Sequence, residues 1–315
     1  MSVFKTMKKF LVKVVLFFVI VAVLDVIFGW GFDLLRGKAR GGQTHKNEYI
    51  ANDCVDDILI LGSSKADHHY VPSVFEDSLG LSCYNAGEMG CGIIPAYTRY
   101  KMVSERQKPQ IILYEVTPQY DYLEAESYTH YLGAMRQYAN REDVRSVYLD
   151  FSDELEGLRL LSNMYCNNSK IVMNIKDILV SPDKWNGYEP LYGMIDSQRV
   201  KTLNRTVNNA DKQVDSLKLS YFIKLIEETK DAGVPIVFII SPTFTGTIDQ
   251  SYYSVAYDLC NEYGIPMIDN SQNELFVGKP EFFQDNTHLN HLGATAYTQY
   301  IIPWLKEFIK NSSKN

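Results

Sequence analysis

Runs of apolar residues alternate with polar segments along the chain, and their lengths predict the elements of the fold. The first run, Phe10–Trp30, contains only two charged residues, Lys13 and Asp25. As a helix it would be about 31 Å long at roughly 1.5 Å per residue, enough to cross the hydrocarbon core of a bilayer. Because no small-residue cleavage motif follows it, we expect a retained transmembrane anchor rather than a removed signal sequence.

Polar residues flank this run on both sides and suggest how the chain is divided. Three lysines before it favour a cytoplasmic N-terminus, whereas three basic residues beyond it act against that orientation. A polar segment with two adjacent glycines follows, as in a linker. The sequence therefore predicts a single-pass membrane protein with an extracytoplasmic main domain. The predicted parts are a cytoplasmic tip and anchor over 1–35, a linker over 36–53 and an α/β domain over 54–315.

Within this domain, five short apolar runs alternate with helical patterns, which predicts a doubly wound parallel sheet of about five strands. The first run, Ile58–Leu61, has four consecutive apolar residues, as in strands buried on both faces. One interruption, residues 119–214, is too long for a strand-to-helix crossover and predicts a helical insertion. The five predicted strands cover residues 58–61, 82–87, 110–116, 235–240 and 265–268.

Two polar motifs lie at opposite ends of this pattern. Ser64 follows Gly62-Ser63 directly after the first strand, at the edge where open α/β sheets place their ligand sites. Asp285 and His288 lie three residues apart, just before the last predicted helix. A serine hydroxyl becomes a nucleophile when a base takes its proton, and the base needs an orienting group. These three side chains could fill those roles, while the alternative for Ser64 is a helix N-cap.

The Gly-x-Ser turn after the first strand and the Asp-x-x-His block before the last helix resemble motifs of the SGNH (GDSL-type) hydrolase family. The resemblance covers roughly residues 53–311. It implies a flavodoxin-like sheet without a cofactor or metal. It also implies Ser64 as nucleophile, His288 as general base and Asp285 as the carboxylate that orients the histidine.

The same resemblance implies an oxyanion site near Ser64. In the family, the backbone N–H of the nucleophile and that of a glycine after the second strand bind the oxyanion, and Gly87 matches that glycine. A third motif normally supplies an asparagine side chain. This chain has no asparagine there, and we expect Thr117 or Gln119 to be the candidates that replace it.

SGNH-like domains on a single anchor resemble extracytoplasmic proteins that add or remove acyl groups on cell-surface polysaccharides. We therefore expect a serine esterase or O-acyltransferase, most simply for O-acetyl groups, acting on an envelope polysaccharide or exopolysaccharide. Its partners would be an acylated carbohydrate and, for transfer, a membrane acyltransferase. Trp185 and Tyr188 are candidates for contacts with sugar rings, and their alternative role is packing within the insertion.

Two other interpretations remain open at this stage. The absence of an asparagine from the third motif would also be expected of a catalytically degenerate domain that binds glycan or a membrane acyltransferase. Asp285, His288 and His291, with His68 or His69, have the chemistry of metal ligands, although their spacing is not specific for a metal site.

Charge and cysteine content narrow the class of protein further. Residues 1–40 contain seven Lys/Arg and two Asp, which leaves 24 basic and 36 acidic residues elsewhere, a net charge of −12. Phosphate contacts dominate nucleic-acid affinity, so this body is not expected to bind nucleic acid. The five cysteines have no metal-ligand spacing, and we expect buried free thiols.

Overall fold

The computed structural model divides into two compact units. Unit 1 comprises residues 1–48 and 133–182, and unit 2 comprises residues 49–132 and 183–315. The predicted insertion, residues 119–214, falls partly outside the described residues, and the predicted domain boundaries stay predictions. The structure describes residues 2–124, 133, 135–151, 155–196, 213–246 and 249–312.

In the part of the chain that the structure describes, short 3-10 helices cover Arg136–Tyr138, Gln250–Tyr253 and Pro280–Phe282. The α-helices of the described residues are α1 (Ser2–Arg36), α2 (Gly42–Asn52), α3 (Ser64–His69), α4 (Pro72–Leu79), α5 (Ile93–Ser104), α6 (Pro118–Asp121), α7 (Glu142–Asp150), α8 (Glu156–Arg159), α9 (Asn163–Asn167), α10 (Ile171–Leu179), α11 (Ser216–Asp231), α12 (Ser254–Tyr263) and α13 (His291–Ser312).

Unit 2 is built on a five-stranded sheet in which every neighbouring pair of strands is parallel. The strand order is β2-β1-β3-β4-β5, so the direction of winding reverses at β1. Open α/β sheets bind ligands beyond the carboxyl ends of the strands at such a reversal. The predicted parallel α/β sheet is confirmed. Its strands are β1 (Ile58–Gly62), β2 (Cys83–Asn85), β3 (Ile111–Glu115), β4 (Ile236–Ile240) and β5 (Met267–Asp269).

Helices cover both faces of this sheet. Side chains of successive strand residues point to opposite faces. Ile60 and Leu113 belong to the same buried cluster as Tyr297 of α13. On the opposite face, the ring of Tyr114 in β3 contacts Phe222 of α11 at a centroid distance of 5.1 Å. Burial on both faces explains why the central strands are apolar throughout rather than alternating.

The five cysteines are buried free thiols, which confirms the prediction made from their spacing. Thiols that are reduced and buried pack as small apolar groups. The cysteines are Cys54, Cys83, Cys91, Cys166 and Cys260.

Unit 1 contains the helix predicted from the first apolar run. By length and composition, Phe4–Arg36 could cross a membrane, and a signal sequence would pass the same test. Residues 42–52, within the predicted linker, form helix α2. Thr44 of α2 donates its backbone N–H to Asp177 Oδ2 over 2.8 Å and its hydroxyl to Asn174 Oδ1 over 3.0 Å. Part of the expected linker is therefore packed structure.

The carboxyl-terminal third of α1 packs within unit 1. Asp25 accepts hydrogen bonds from Ser162 Oγ at 2.7 Å and from the backbone N–H groups of Asn163 and Met164 at 2.8 and 3.0 Å. The side-chain amide of Asn163 donates to the same carboxylate. Eleven positions further along the chain, the buried Arg36 guanidinium donates to Asn167 Oδ1 over 2.8 Å. These bonds fix α1 against α9.

Replacing Gly29 by valine should destabilise unit 1 more than replacing Gly31, two residues away in α1. A Cβ at Gly29 would lie 2.6 Å from Asn163 Cγ, whereas a Cβ at Gly31 would meet no atom within 4 Å. Because Asn163 is bonded to Asp25, the crowded side chain has to move or strain the backbone, and overpacking typically costs about 1–3 kcal/mol. Limited proteolysis within residues 142–179, in detergent, measures the difference. Equal protection of the two variants would contradict this packing.

Candidate active site

Ser64 is the first residue of α3, immediately beyond the carboxyl end of β1. The turn that delivers it depends on Gly62, which has a φ of +136° and would place a Cβ 2.7 Å from the Glu115 carbonyl oxygen. The neighbouring Ser63 hydroxyl pairs with the Thr117 hydroxyl over 2.8 Å. This pair ties the turn after β1 to the turn after β3, so Ser64 is held at the predicted edge of the sheet.

The structure brings together the three side chains that the sequence motifs singled out. Ser64 Oγ lies 2.8 Å from His288 Nε2. On the other side of the same ring, His288 Nδ1 lies 2.9 Å from Asp285 Oδ2. A neutral His288 with its proton on Nδ1 donates to Asp285 and presents a lone pair to the Ser64 hydroxyl. The three groups therefore form one hydrogen-bonded series across 224 residues of sequence.

Asp285 is held as a carboxylate by its own loop. Its Oδ1 accepts the backbone N–H groups of Thr287 and His288 at 2.7 and 2.8 Å. Burial acts to raise the pKa of Asp285, but the hydrogen bonds and charge of His288 and the two backbone N–H groups lower it to about 2. The carboxylate is therefore ionised at neutral pH and fixes the orientation of the imidazole.

Beneath this series lies a buried ion pair that the sequence analysis did not anticipate. Glu115 ends β3 and is fully buried, and its Oε1 lies 2.7 Å from Lys65 Nζ. Ser241, after β4, donates its hydroxyl to the same Oε1 over 2.8 Å. Tyr70 donates its hydroxyl to Oε2. Although burial disfavours the charged amine, the negative charge of Glu115 raises the pKa of Lys65. One carboxylate thus connects α3, β3 and β4.

His69 continues this network to the loop that carries His288. The Leu289 N–H donates to His69 Nε2 over 3.0 Å, so Nε2 is the acceptor and the proton lies on Nδ1. His69 Nδ1 then donates to Ser241 Oγ over 2.8 Å. Burial, followed by the nearby charges of Lys65 and His288, lowers the pKa of His69 well below its ordinary value. A neutral, fixed His69 therefore holds the backbone next to His288.

His68 packs against the ring of His288 rather than joining the series. Its Nδ1 lies 2.7 Å from the Glu189 carbonyl oxygen, which accepts only, so Nδ1 carries the proton. Its ring meets that of His288 edge to face at a centroid distance of 5.4 Å. Within the described part of the chain, no group hydrogen-bonds the buried His68 Nε2. The contact restricts how the His288 ring can turn.

The predicted oxyanion donor Gly87 lies close to α3, but its N–H is engaged. A Cβ at Gly87 would be 2.5 Å from the Asp67 backbone nitrogen, so only glycine fits there. The Gly87 N–H donates to Asn85 Oδ1 over 3.0 Å. The amide of Asn85 in turn donates to the Ala66 carbonyl oxygen over 2.7 Å. In this structure the loop after β2 is thus fastened to α3, with the Gly87 N–H directed at Asn85.

The candidates for the missing asparagine follow β3. Thr117 is buried, and its N–H donates to Asp121 Oδ2 over 2.6 Å. Gln119 is exposed, and its carbonyl oxygen accepts from Lys218. Among the described residues, neither the Thr117 side chain nor the Gln119 side chain makes a hydrogen bond to Ser64. Their roles at an oxyanion stay predictions, and so does the role of Gly87.

Trp185 and Tyr188 lie in a loop beside the start of α13. Tyr188 is buried, and its hydroxyl lies 3.0 Å from His291 Nδ1. The Trp185 ring contacts the His291 ring at 5.2 Å. The next part of this loop borders a pocket of about 530 Å³ with mainly apolar walls, including Tyr192, Met194 and Leu292. Both predicted sugar contacts therefore lie near the His288 loop, and their role in binding stays a prediction.

The side chains considered for a metal site make other contacts in this structure. His291 bonds to Tyr188, and both ring nitrogens of His69 are engaged as described above. Within the residues that the structure describes, no group of three or more His, Cys, Asp or Glu side chains could hold a metal ion. The arrangement around Ser64 instead supports proton transfer between a hydroxyl and an imidazole.

Sequence reasoning missed the buried residues that support the predicted triad. Glu115 interrupts an otherwise apolar strand at its last position, where an acidic side chain in a fully buried strand requires a partner. That signal could have identified Glu115 in advance. Its partners Lys65, His69 and Ser241 lie on other elements, and their pairing required the tertiary structure.

Comparisons with known proteins add little to this description. No family model matches the sequence, and no curated protein matches it. A solved structure from Streptococcus pneumonia, described provisionally as a platelet activating factor, covers 90% of this chain and 98% of its own. The two share 10% sequence identity with a TM-score of 0.40. Likeness at this level carries no argument about fold or activity.

Removing both members of the Lys65–Glu115 pair should cost less stability than the sum of the losses from removing each one alone. Glu115→Gln or Lys65→Met alone leaves a buried charge without its partner, a loss of about 3–5 kcal/mol. We expect the double variant to lose less than the sum of the two single changes. Denaturant unfolding of the full chain in detergent measures this coupling. Additive losses would contradict it. Lys101→Met, in the half-exposed Lys101–Glu228 pair, should cost at most about 1 kcal/mol.

The buried Asp121 should make stability depend on pH. Burial raises its pKa to about 7, although the Thr117 N–H, the Tyr114 hydroxyl and the charge of Lys218 act to lower it. Between the unfolded value of 3.8 and about 7, the folded state retains a proton that the unfolded state releases. The contribution of this proton to the unfolding free energy is present at low pH and is lost as pH rises through 7.

The test compares the native chain with Asp121→Asn at pH 5 and pH 8. Between these values the native chain should lose about 2–3 kcal/mol more unfolding free energy than the variant, at about 1.4 kcal/mol per pH unit. Infrared spectra should show a protonated-carboxyl band in the native chain that disappears near pH 7. The same pH dependence in Asp121→Asn would exclude Asp121 as the source.

Proposed function

We propose that unit 2 is an SGNH-like serine hydrolase domain that acts on ester-linked acyl groups. The observation that carries this proposal is the continuous series from Ser64 Oγ through His288 to Asp285, with distances of 2.8 and 2.9 Å. The strand order β2-β1-β3-β4-β5 is the flavodoxin-like order, which supports the proposed fold. The position of Ser64 at the winding reversal supports it as well.

In the proposed reaction, His288 Nε2 takes the proton of Ser64 as its Oγ attacks the ester carbonyl carbon. The resulting tetrahedral oxyanion collapses when the bond to the leaving alcohol breaks, and His288 returns the proton to that alcohol. The acyl group is then bound to Ser64. Water, deprotonated by His288, releases it as an acid, whereas a carbohydrate hydroxyl would receive it as a new ester. Asp285 stabilises the imidazolium in each step.

Stabilising the oxyanion is the most demanding part of this proposal. The N–H of Ser64 lies in the first turn of α3, where backbone donors have no partner within the helix. Gly87 could contribute only by exchanging its bond to Asn85 for one to the oxyanion. Removing one such donor typically costs about 3 kcal/mol of barrier. Because the Gly87 N–H is already bonded to Asn85, we expect a modest activity towards simple esters.

The proposed substrate is an O-acylated, most simply O-acetylated, carbohydrate of the cell envelope or an exopolysaccharide. The half-buried ring of Trp185, and the pocket of about 530 Å³ bordering the same loop, supply apolar surface for a sugar or acyl group. A single-pass anchor with an extracytoplasmic unit 2 would place the domain beside such polymers. A membrane acyltransferase could then supply the acyl group in the transfer reaction.

A second candidate function rests on the same oxyanion region. The Gly87 N–H donates to Asn85, and the Thr117 N–H donates to Asp121. These internal bonds favour a catalytically degenerate domain that binds glycan or a membrane acyltransferase through the same edge of the sheet. Such a domain would retain the fold without an activated serine.

Labelling of the full chain with a serine-reactive phosphonate tests the proposal. We expect one equivalent of label on Ser64, and loss of labelling in Ser64→Ala and His288→Ala, because the hydroxyl needs its base. Ser220→Ala is the control, since Ser220 lies in α11 and donates its hydroxyl to the Leu217 carbonyl oxygen. It should still label. A folded chain that does not label would favour the degenerate alternative. Acetate release from O-acetylated polysaccharide should follow the same order of variants.

A further inference from the structure

Helix α10 of unit 1 has its polar and apolar sides reversed. It buries Asn174 and Asp177, which accept hydrogen bonds from Thr44 of α2. Val172 and Leu179, in contrast, are each 81% exposed. A surface helix of a globular protein shows the opposite arrangement, with apolar residues towards the core. The outer side of α10 therefore presents apolar side chains.

The neighbouring helix α9 extends this apolar exposure. Leu161 and Met164 flank the pair Ser162 and Asn163, whose donors bind Asp25 of α1, and both apolar side chains are exposed. Large exposed apolar patches mark sites of association. We call the exposed apolar side chains of residues 161–164 and of α10 the apolar face. It consists of Leu161, Met164, Val172, Ile175 and Leu179.

The apolar face lies on elements that pack against α1, the helix long and apolar enough to span a membrane, and this continuity identifies its occupant. The apolar segment Phe4–Arg36 has 33 residues, about 50 Å of helix, whereas a hydrocarbon core is about 30 Å thick. If the hydrocarbon core of the bilayer begins after Lys9, a helix of about 20 residues crosses it. Its other boundary then lies near Gly29. A Cβ at Gly29 would touch Asn163, so α9 lies at that depth.

The charged residues of α10 are also placed as expected for a helix whose apolar face lies against a membrane. Asp177 is the only acidic residue of α10, and it is buried, whereas Lys176 is exposed. Lysine at a bilayer boundary can keep its stem among apolar groups and its ammonium among headgroups. Anionic lipids attract such residues electrostatically. A helix with outward apolar residues and an outward lysine is therefore suited to an interface with anionic lipid.

We infer that the apolar face inserts into the boundary between headgroups and acyl chains of the bilayer that α1 crosses. Unit 1 would then be held in the membrane by one spanning helix and one interfacial surface. The inference requires that α1 be retained, since its removal would leave Ser162, Asn163 and Asn167 without the acceptors and donor described above. It does not depend on the proposed esterase activity.

Fluorescence quenching of the full chain in phosphatidylethanolamine–phosphatidylglycerol vesicles tests this insertion. Val172→Cys and Leu179→Cys carry an environment-sensitive dye, and the unsubstituted chain, whose cysteines are buried, gives the background. We expect several-fold stronger quenching by acyl-chain nitroxides than by aqueous iodide at both positions. Leu275→Cys, at an apolar position of unit 2 that is 60% exposed, provides the comparison. Stronger quenching by iodide than by lipid at Val172 and Leu179 would overturn the inference.

Two further results would also overturn it. A photocrosslinker at Val172 in native membranes should give lipid adducts, and a discrete protein adduct would show that a protein covers the face. The chain isolated from membranes should have an intact mass that includes residues 2–36. A shorter chain would show that α1 is removed. Folding of each variant is checked by protease protection of residues 142–179.

Discussion

The buried carboxylate of Glu115 is the constraint on which the candidate site depends. An ionised group inside a protein has to be paired and hydrogen-bonded, and Glu115 satisfies this with Lys65, Tyr70 and Ser241. These partners come from α3, from the residue that follows it and from the segment after β4. The need to pair one carboxylate thus fixes three elements at the carboxyl edge of the sheet.

The hydrogen-bond network around Glu115 extends through His69 to the loop that carries the proposed base, His288. Ser241 accepts from His69, and His69 accepts the N–H of Leu289, the residue after His288. The loop carrying Asp285 and His288 is therefore oriented from below by buried polar bonds, in addition to its own internal bonds. A serine and a histidine that approach within 2.8 Å across the fold need such support, because flexible loops would rarely hold that distance.

Unit 1 differs from unit 2 in which side chains it buries and which it exposes. Unit 2 buries its apolar residues between helices and a sheet, as expected in water. Unit 1 has buried apolar residues as well, but it also uses polar bonds, such as those of Asp25 and Asp177, as internal contacts and leaves apolar side chains of α10 exposed. That inversion is consistent with an environment that is itself apolar on one side. The two units thus combine a water-adapted fold with a surface suited to lipid.

The sequence by itself determined the parallel α/β sheet, the long apolar helix and the candidate residues Ser64, Asp285 and His288. These features depend on local patterns: runs of apolar residues, a glycine turn and two short motifs. Only the tertiary structure decided that Glu115, Lys65, Ser241 and His69 form one network, because its contacts join positions between 50 and 172 residues apart in the sequence. It also showed that the Gly87 N–H is bonded to Asn85 and that α10 exposes its apolar side. A local pattern records which residues are apolar or polar, whereas burial and hydrogen-bond partners depend on what the rest of the chain places beside them.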